Sequence, residues 1–395
     1  MSDGTRRGVL IGAAVIVLLA VLGFVFRPAV RDAWEWAAGD GIDTVSGWLT
    51  ELQDVAAELP EREVEVRSVV TDSRSALLVI GDGPGAAAFA LVAVAPEGDA
   101  TFTLVPQRLL AFVPGYGEFR LDEALGFEDA ELALITIMNR FGVRIDDVVA
   151  LQPGGLAAAL GAPLVVDVPV ALFTQGAEGA QRLVAAGEQT VPPELVETLL
   201  VTQGAGDGFE WLQRQGSVWR AILEAVVLDP DLADRIAATA PRQAVVADLL
   251  VAVAASERLQ LATIPVEATG GAGGASVFVP SPGAAEFVDQ RFGHLMLRDV
   301  RPPVEVLNGS GRIGATRVVA GNLVRLGFRV VRTDNADGFG YETSEVIAQG
   351  RKGEEAAREV LDALGTGTLL LELRAPSTLV DVSIIVGQDI PAGEG

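Results

Sequence analysis

The sequence predicts an α/β protein built as an N-terminal membrane-spanning helix, a large layered α/β domain and a small C-terminal α/β domain. Three observations carry this. Gly8 to Phe26 is a run of 19 residues without a charge. From about residue 64, short apolar runs closed by glycine or proline alternate with stretches of helical periodicity, the pattern of layered α/β domains. Residues 304–334, VEVLNGSGRIGATRVVAGNLVRLGFRVVRTD, read as strand, glycine loop, helix and strand.

The uncharged run comes first. At a rise of about 1.5 Å per residue it spans a hydrocarbon core of about 30 Å. Arg6 and Arg7 precede it, Arg27 and Arg31 follow it, and a short leading segment with a long following domain predicts the N-terminus inside. The reading is a cytoplasmic tail at 1–7, a single-pass helix at 8–26 and everything after about residue 30 outside the cell membrane. The alternative is a cleaved signal peptide, which would have a shorter apolar region and a small-x-small cleavage site. Residues 31–60 follow as a juxtamembrane helix. Ile42, Val45, Leu49, Leu52 and Val55 recur at helical spacing, and Trp34, Trp36 and Trp48 suit a membrane–water interface. The stripe fits an amphipathic helix packed on the next domain, or a short dimerising coil.

Residues 64–297 are read as the large domain. ALLVIG, FALVAVAP and TFTLVP are buried strands. EDAELALITIMNRF, 128–141, places Leu132, Ile135, Met138 and Phe141 on roughly one helical face. DDVVAL, a helix at 155–160 and PLVVDVPV continue the alternation. PPELVETLL opens a helix with prolines tolerated in its first turn. Longer helices are expected at 208–227 and 231–256, and ATGGAGGASVFVPSPG is expected to be an exposed glycine-rich loop. RDVRPP, 298–303, is the hinge. The small domain, 304–390, is read as strand 304–308, helix 312–326, strands 328–333 and 344–349, helix 353–364, and strands 368–373 and 380–386.

Composition narrows function. The 395 residues suffice for two or three domains. Acids outnumber bases 53 to 29, a formal charge of −24, so the surface repels phosphate backbones and no nucleic-acid partner is expected. There is no cysteine and one histidine, His294, which excludes disulfides, thiol chemistry, thiolate zinc sites and any site needing two histidines. His294 has no triad partner evident in sequence. Asp82, beside glycine at a strand end, is a turn residue or, less readily, a metal ligand.

Gly309-Ser310-Gly311-Arg312-Ile313-Gly314 spells the dinucleotide fingerprint, with Asp334 twenty residues on. A dinucleotide fold needs two mononucleotide halves, and only 61 residues follow Asp334, so NAD is not expected. Two readings stay open for Asn308, Gly309, Ser310, Gly311 and Gly314: a tight strand-to-helix turn, or an anion site at the helix N-terminus.

VEVLNGSGRIGATRVVAGNLVRLGFRV, then TSEVIAQGRKGEEAAREVLDALG and VDVSIIVGQDI, closely resemble the LytR C-terminal domain over about 304–390. The shared features are the Val-Leu-Asn-Gly-Ser/Thr-Gly start, Gly-Phe-x-Val after the first helix, Thr-x-Val/Ile-x-x-x-x-Gly, and a closing Val-Gly-x-Asp. That domain typically follows a LytR-CpsA-Psr (LCP) catalytic domain, and residues 70–260 resemble one less cleanly. ALLVIGDG is similar to its first strand and loop, LVPQRLLAFVPGYGEFRLDEAL to the segment of its Pro-Arg-Asp motif, and LQRQGSVWRAIL to its Arg-Gln helix.

The resemblance implies a transferase that moves a glycopolymer from a polyprenyl pyrophosphate carrier onto peptidoglycan with Mg²⁺. The departures point elsewhere. The family's Arg-x-Asp-Thr falls at Gly85-Ala86-Ala87-Ala88-Phe89, and its Pro-Arg-Asp becomes Pro106-Gln107-Arg108. Its basic-x-Asn-x-Ala reads Arg120-Leu121-Asp122-Glu123-Ala124, and paired arginines are missing near 200–207, while Arg214-Gln215 survives. Losing several charged pyrophosphate partners removes most transition-state stabilisation. The expectation is a catalytically inactive LCP-like binding or scaffolding protein in cell-wall polymer assembly, without cofactor, with no catalytic and no metal residues. Arg108, Arg120, Arg214 and Gln215 are its candidate anion-binding residues; solvated surface arginines are the plain alternative. Its expected partners are the membrane, wall glycopolymer, a polyprenyl-phosphate lipid or a partner LCP protein. The alternative is a divergent active phosphotransferase, which alone would need Mg²⁺.

Overall fold

The structure, a computed structural model, describes residues 74–391 apart from 82, 177–178, 205–207, 241–242 and 271–275. The expected tail, spanning helix and juxtamembrane helix lie outside the described residues, and so does Asp82. Among the described residues no helix is long and apolar enough to cross a membrane.

A five-stranded sheet organises the larger domain. Its spatial order is Gln260–Thr263, Ala100–Val105, Ala88–Val94, Arg74–Ile80, Asp147–Leu151. The two junctions made by Ala88–Val94 are antiparallel and the outer two are parallel, so four strands run in one direction and one against them. The three central strands are buried along nearly their whole length. Such unbroken apolar runs are required where both faces of a sheet are covered. Helices Gly208–Leu228 and Gln243–Ala255 pack on Ala100–Val105, and Ala130–Phe141 packs on Asp147–Leu151. Phe102 of the sheet meets Trp219 of the long helix at 4.8 Å between ring centroids, and both are buried.

Helix ends follow local chemistry. The helix expected from 128 starts at Ala130, because the Asp129 side chain caps it by accepting from the Glu131 amide at 2.9 Å. Pro193 opens Pro193–Val201 at a first-turn position where no amide is needed. The stretch 231–256 divides into Asp231–Ala237 and Gln243–Ala255. The expected glycine-rich loop is corrected in part: its flanks, Val266–Gly270 and Ser276–Pro280, form an antiparallel hairpin. The alternation in SVFVP supplies one strand and VEATG the other. Periodicity also did not disclose the hairpins Leu110–Val113 with Gly117–Arg120 and Leu172–Gly176 with Gly179–Val184, whose arms are only four to six residues long.

The C-terminal sheet has the order Arg329–Asn335, Pro303–Asn308, Val382–Val386, Glu345–Gln349, Thr368–Glu372. Two strand–helix–strand units, crossing over through Ala315–Arg325 and Glu354–Leu364, lie side by side. The last strand enters between them, parallel to Pro303–Asn308 and antiparallel to Glu345–Gln349. All the elements read from sequence in this domain are present, with ends shifted by up to three residues.

The two sheets belong to one compact unit, and the seam between them is polar. The buried Asn139 side chain donates to the Val330 carbonyl and accepts from the Val330 amide, both at 2.9 Å, so it acts as one residue of a neighbouring strand. Arg301 in the hinge donates to the carbonyls of Asn139, Gly327 and Phe328. Arg298 donates to the Leu326 carbonyl and to Glu359. The ion pairs Arg317–Glu128 and Arg325–Glu131 close the outer side.

Candidate functional site

The strands Arg74–Ile80 and Ala100–Val105 end at the same edge of the large sheet, since each runs against Ala88–Val94. Outside the carboxyl ends of strands is where open α/β sheets place ligands. Here that edge carries residues 83–87, the turn Pro106-Gln107-Arg108 and the segment 120–124, tied by hydrogen bonds. The Ala87 amide donates to Gln107 Oε1 at 3.1 Å and the Gly85 amide to Asp122 Oδ2 at 2.8 Å. The Asp122 amide donates to the Gln107 carbonyl at 2.9 Å. Arg120 Nε donates to Asp122 Oδ1 at 3.0 Å. Gln107 and Asp122 are buried, and both side chains hold backbone amides.

Arg214 is engaged in another direction. Its Nε donates to the Leu199 carbonyl at 3.2 Å, and one Nη to the carbonyls of Thr202 and Gln203. The adjacent Leu200 carbonyl accepts from Gln215 Nε2 and from Trp211 Nε1, both at 2.7 Å. Leu199 and Leu200 belong to the unsatisfied last turn of helix Pro193–Val201, and Thr202 and Gln203 follow it; a guanidinium is suited to collect such carbonyls. Burial, partly opposed by Glu210, lowers the Arg214 pKa to about 10, so it remains charged at neutral pH.

Of the four candidate residues, Arg108 and Gln215 face one cavity, with Gln107, Trp211, Leu212 and Phe278 around them. Its volume is about 10 Å³, the smallest space that holds one water. Arg108 Nε, Gln107 Nε2 and Gln215 Oε1 are buried there without a hydrogen-bond partner. Arg120 stands apart with Asp122 and Glu123. The sequence reading left Gln107, Asp122 and Trp211 out of the candidate set; the signal was polar side chains inside otherwise apolar runs.

A magnesium ion does not fit the described residues at this edge. Both oxygens of Asp122 are taken by Gly85 and Arg120, and no group of three or more His, Asp or Glu is placed to hold a metal among the described residues. His294 sits in the turn Gly293–Leu295. Burial lowers its pKa, and its Nε2 is enclosed without a hydrogen-bond partner.

The glycine loop is organised by Asn308. Its Oδ1 accepts from the Ser310 amide at 3.1 Å, the Ser310 hydroxyl at 2.9 Å and the Gly311 amide at 3.0 Å, and its Nδ2 donates to the Arg312 carbonyl at 2.9 Å. The Arg312 amide donates to Ser310 Oγ and the Gly309 amide to the Val386 carbonyl. Amides 309–312 are thus turned inward to the protein. A Cβ on Gly309 would lie 2.6 Å from Ile385 Cγ2 and 2.7 Å from Tyr341 Cδ2, so glycine is required there by the approach of two neighbours. Gly314 caps the helix at φ +79, a conformation that only glycine adopts freely. Asp334 accepts from Arg332 at 2.9 Å, a pairing that occupies the acid a ribose would need.

The closing Val-Gly-x-Asp is equally structural. Asp389 Oδ1 accepts from the Ser344 amide at 2.9 Å and hydroxyl at 2.7 Å, and Oδ2 accepts from Thr366 at 2.8 Å. Burial works against its charge, but the bonds from Ser344 and Thr366 outweigh it and hold the carboxyl below its ordinary range.

Residues 301–389 match the LytR_C family, described as LytR cell envelope-related transcriptional attenuator; the resemblance read at 304–390 is borne out. No curated protein matches the chain. Solved structures similar to part of it include B. subtilis TagV, with TM-score 0.46 and 15% identity over 56% of this chain and 97% of that one. The LytR-Csp2A-Psr enzyme from Actinomyces oris gives TM-score 0.43 and 15% identity over 58% of this chain and 92% of that one.

Proposed function

We propose that this chain is a membrane-anchored, extracytoplasmic cell-envelope protein whose LCP-like domain binds or scaffolds in wall-polymer assembly and does not catalyse transfer. One observation carries the reading. The groups that would have to grip a pyrophosphate are committed to the protein itself: Arg214 to helix carbonyls, Gln107 and Asp122 to the backbone of residues 85–87. Electrostatic stabilisation of transferring phosphoryl groups needs donors free to meet charge as it develops. The anchor, the membrane location and partners such as wall glycopolymer, a polyprenyl-phosphate lipid or an LCP protein belong to the same proposal. It rests on the uncharged run at 8–26 and on the LytR_C match.

The test is direct. The full chain, purified in detergent with Mg²⁺, is given a polyprenyl-pyrophosphate-linked oligosaccharide and peptidoglycan acceptor. Neither transfer nor pyrophosphate release is expected. Turnover that disappears in Arg108→Ala or Arg120→Ala would overturn the proposal. It would establish the second reading, a divergent phosphotransferase, which the unpartnered polar atoms of Gln107, Arg108 and Gln215 favour.

A further inference from the structure

The domain seam holds a second concentration of positive charge, apart from the edge just described. Arg301 donates through one Nη to the Asn139 carbonyl at 2.8 Å and through the other to the Phe328 carbonyl at 3.0 Å. Those two carbonyls belong to the peptide groups that lead directly into Arg140 and Arg329. The Asn139–Val330 bonds lock the same two segments from the other side. One clamp therefore fixes the backbone of Arg140, at the end of helix Ala130–Phe141, beside that of Arg329, at the start of strand Arg329–Asn335.

Both residues keep part of their surface open to solvent. Among the described residues, Arg140, Arg301 and Arg329 have no carboxylate within salt-bridge distance. Arg329 bears on both others: burial first and then Arg329 lower the pKa of Arg140, with Glu118 opposing, and burial first and then Arg329 lower that of Arg301 to about 10. In a chain where acids outnumber bases 53 to 29, a guanidinium set near two others without a carboxylate partner among the described residues needs an explanation. The carbonyl end of the helix accounts for a cation at Arg140, and three carbonyls account for Arg301. Neither accounts for Arg329. Arg140 also lines an open groove of about 260 Å³ with Phe141, Ser281, Pro282, Ala285 and Met296. That lies just below the ~300 Å³ at which small-molecule pockets begin.

We propose that Arg140 and Arg329, set side by side by the Arg301 clamp, form an anion site at the domain seam that takes a phosphate group. A phosphate presents several charged oxygens to guanidinium forks arriving from two domains, and it would relieve the repulsion among them. This site goes beyond the function proposed above and stands whether or not the larger domain is catalytic.

The experiment is isothermal titration of the full chain, held in neutral-lipid nanodiscs, with inorganic pyrophosphate as the probe. Binding is expected, and Arg140→Gln and Arg329→Gln should each weaken it about ten-fold, the loss of one charge-assisted bond. Arg182→Gln, an exposed arginine on a distant hairpin, should leave it unchanged. A rise in thermal midpoint with pyrophosphate should be present in the unaltered chain and absent in Arg329→Gln. No binding by the unaltered chain overturns the proposal, as does equal weakening in all three variants. Loss on Arg108→Gln with the seam variants unaffected also overturns it, and places the anion at the larger domain's edge. Displacement of pyrophosphate by poly(glycerol phosphate) supports the site and assigns a wall polymer. Displacement by a short-chain phosphatidylglycerol supports it and assigns a lipid headgroup, and displacement by neither, with the variant pattern kept, supports it and assigns a small phosphate compound.

Discussion

Arg214→Ala separates a structural guanidinium from a ligand-binding one. The side chain is buried and donates to three carbonyls, those of Leu199, Thr202 and Gln203. A hydrogen bond to a charged group contributes about 1.5–3 kcal/mol, so three would sum to roughly 4.5–9 kcal/mol. That sum is an upper bound. The bonds share one group, water can reach the helix end once the side chain is gone, and Leu200 keeps its own donors from Trp211 and Gln215. Removing one partner of a buried charged contact typically costs about 3–5 kcal/mol, and that is the expected loss. Urea unfolding followed through tryptophan emission suits the site, because Trp211 and Trp219 lie on the same helix. With a slope of about 3 kcal/mol/M, the midpoint should fall by about 1–1.7 M at unchanged slope. Arg214→Lys should recover only part of this, since an ammonium cannot reach three carbonyls as a planar fork does. An Arg214→Ala protein that unfolds like the parent would refute the reasoning and return Arg214 to the list of available anion ligands.

Two more predictions concern the C-terminal domain and its seam with the larger one. Asp389→Asn should be less stable than the parent at neutral pH. Its folded-state pKa is lowered, so its stabilisation is complete above the unfolded carboxyl pKa of about 4 and is lost as pH falls through the folded value. The gap between variant and parent should therefore close in acid unfolding curves, and a gap constant from pH 7 to pH 2 would contradict the assignment. Asn139→Ala leaves the Val330 amide and carbonyl without partners at a buried position, at about 1–3 kcal/mol for each group. Limited proteolysis should then cut the hinge 298–303 faster, and an unchanged rate would show that the seam does not depend on this side chain.

The C-terminal domain was legible because its signals are local. A glycine loop, two amphipathic helices and five short apolar runs follow in strict order, and each connection is short. Its spatial order was not legible: nothing in VDVSIIVG announces a strand that enters between two units rather than at an edge. In the larger domain, strands buried on both faces were equally plain, whereas short hairpins fell below any periodic signal. The hairpin Val266–Gly270 with Ser276–Pro280 illustrates the difficulty: VEATG and SVFVP are five-residue runs, too short for either to announce its partner.

The candidate site shows why residue identity misleads even where position is right. Arg214-Gln215 keeps its place in the resembling motif, and sequence alone offers it as an anion grip. The structure turns both side chains toward the end of the preceding helix, a choice set by carbonyls 199–203, which no local pattern reveals. Gln107 illustrates the converse. It reads as a loss of charge, yet its Oε1 holds the Ala87 amide, so the side chain serves the fold. The same logic covers the glycine loop, whose fingerprint residues are bound up by Asn308 and by the approach of Ile385 and Tyr341. In all three places the shared letters report how the chain is folded. The polar groups that the fold leaves unmatched are the atoms around the Arg108 cavity and, in the proposal made above, the guanidiniums at the seam.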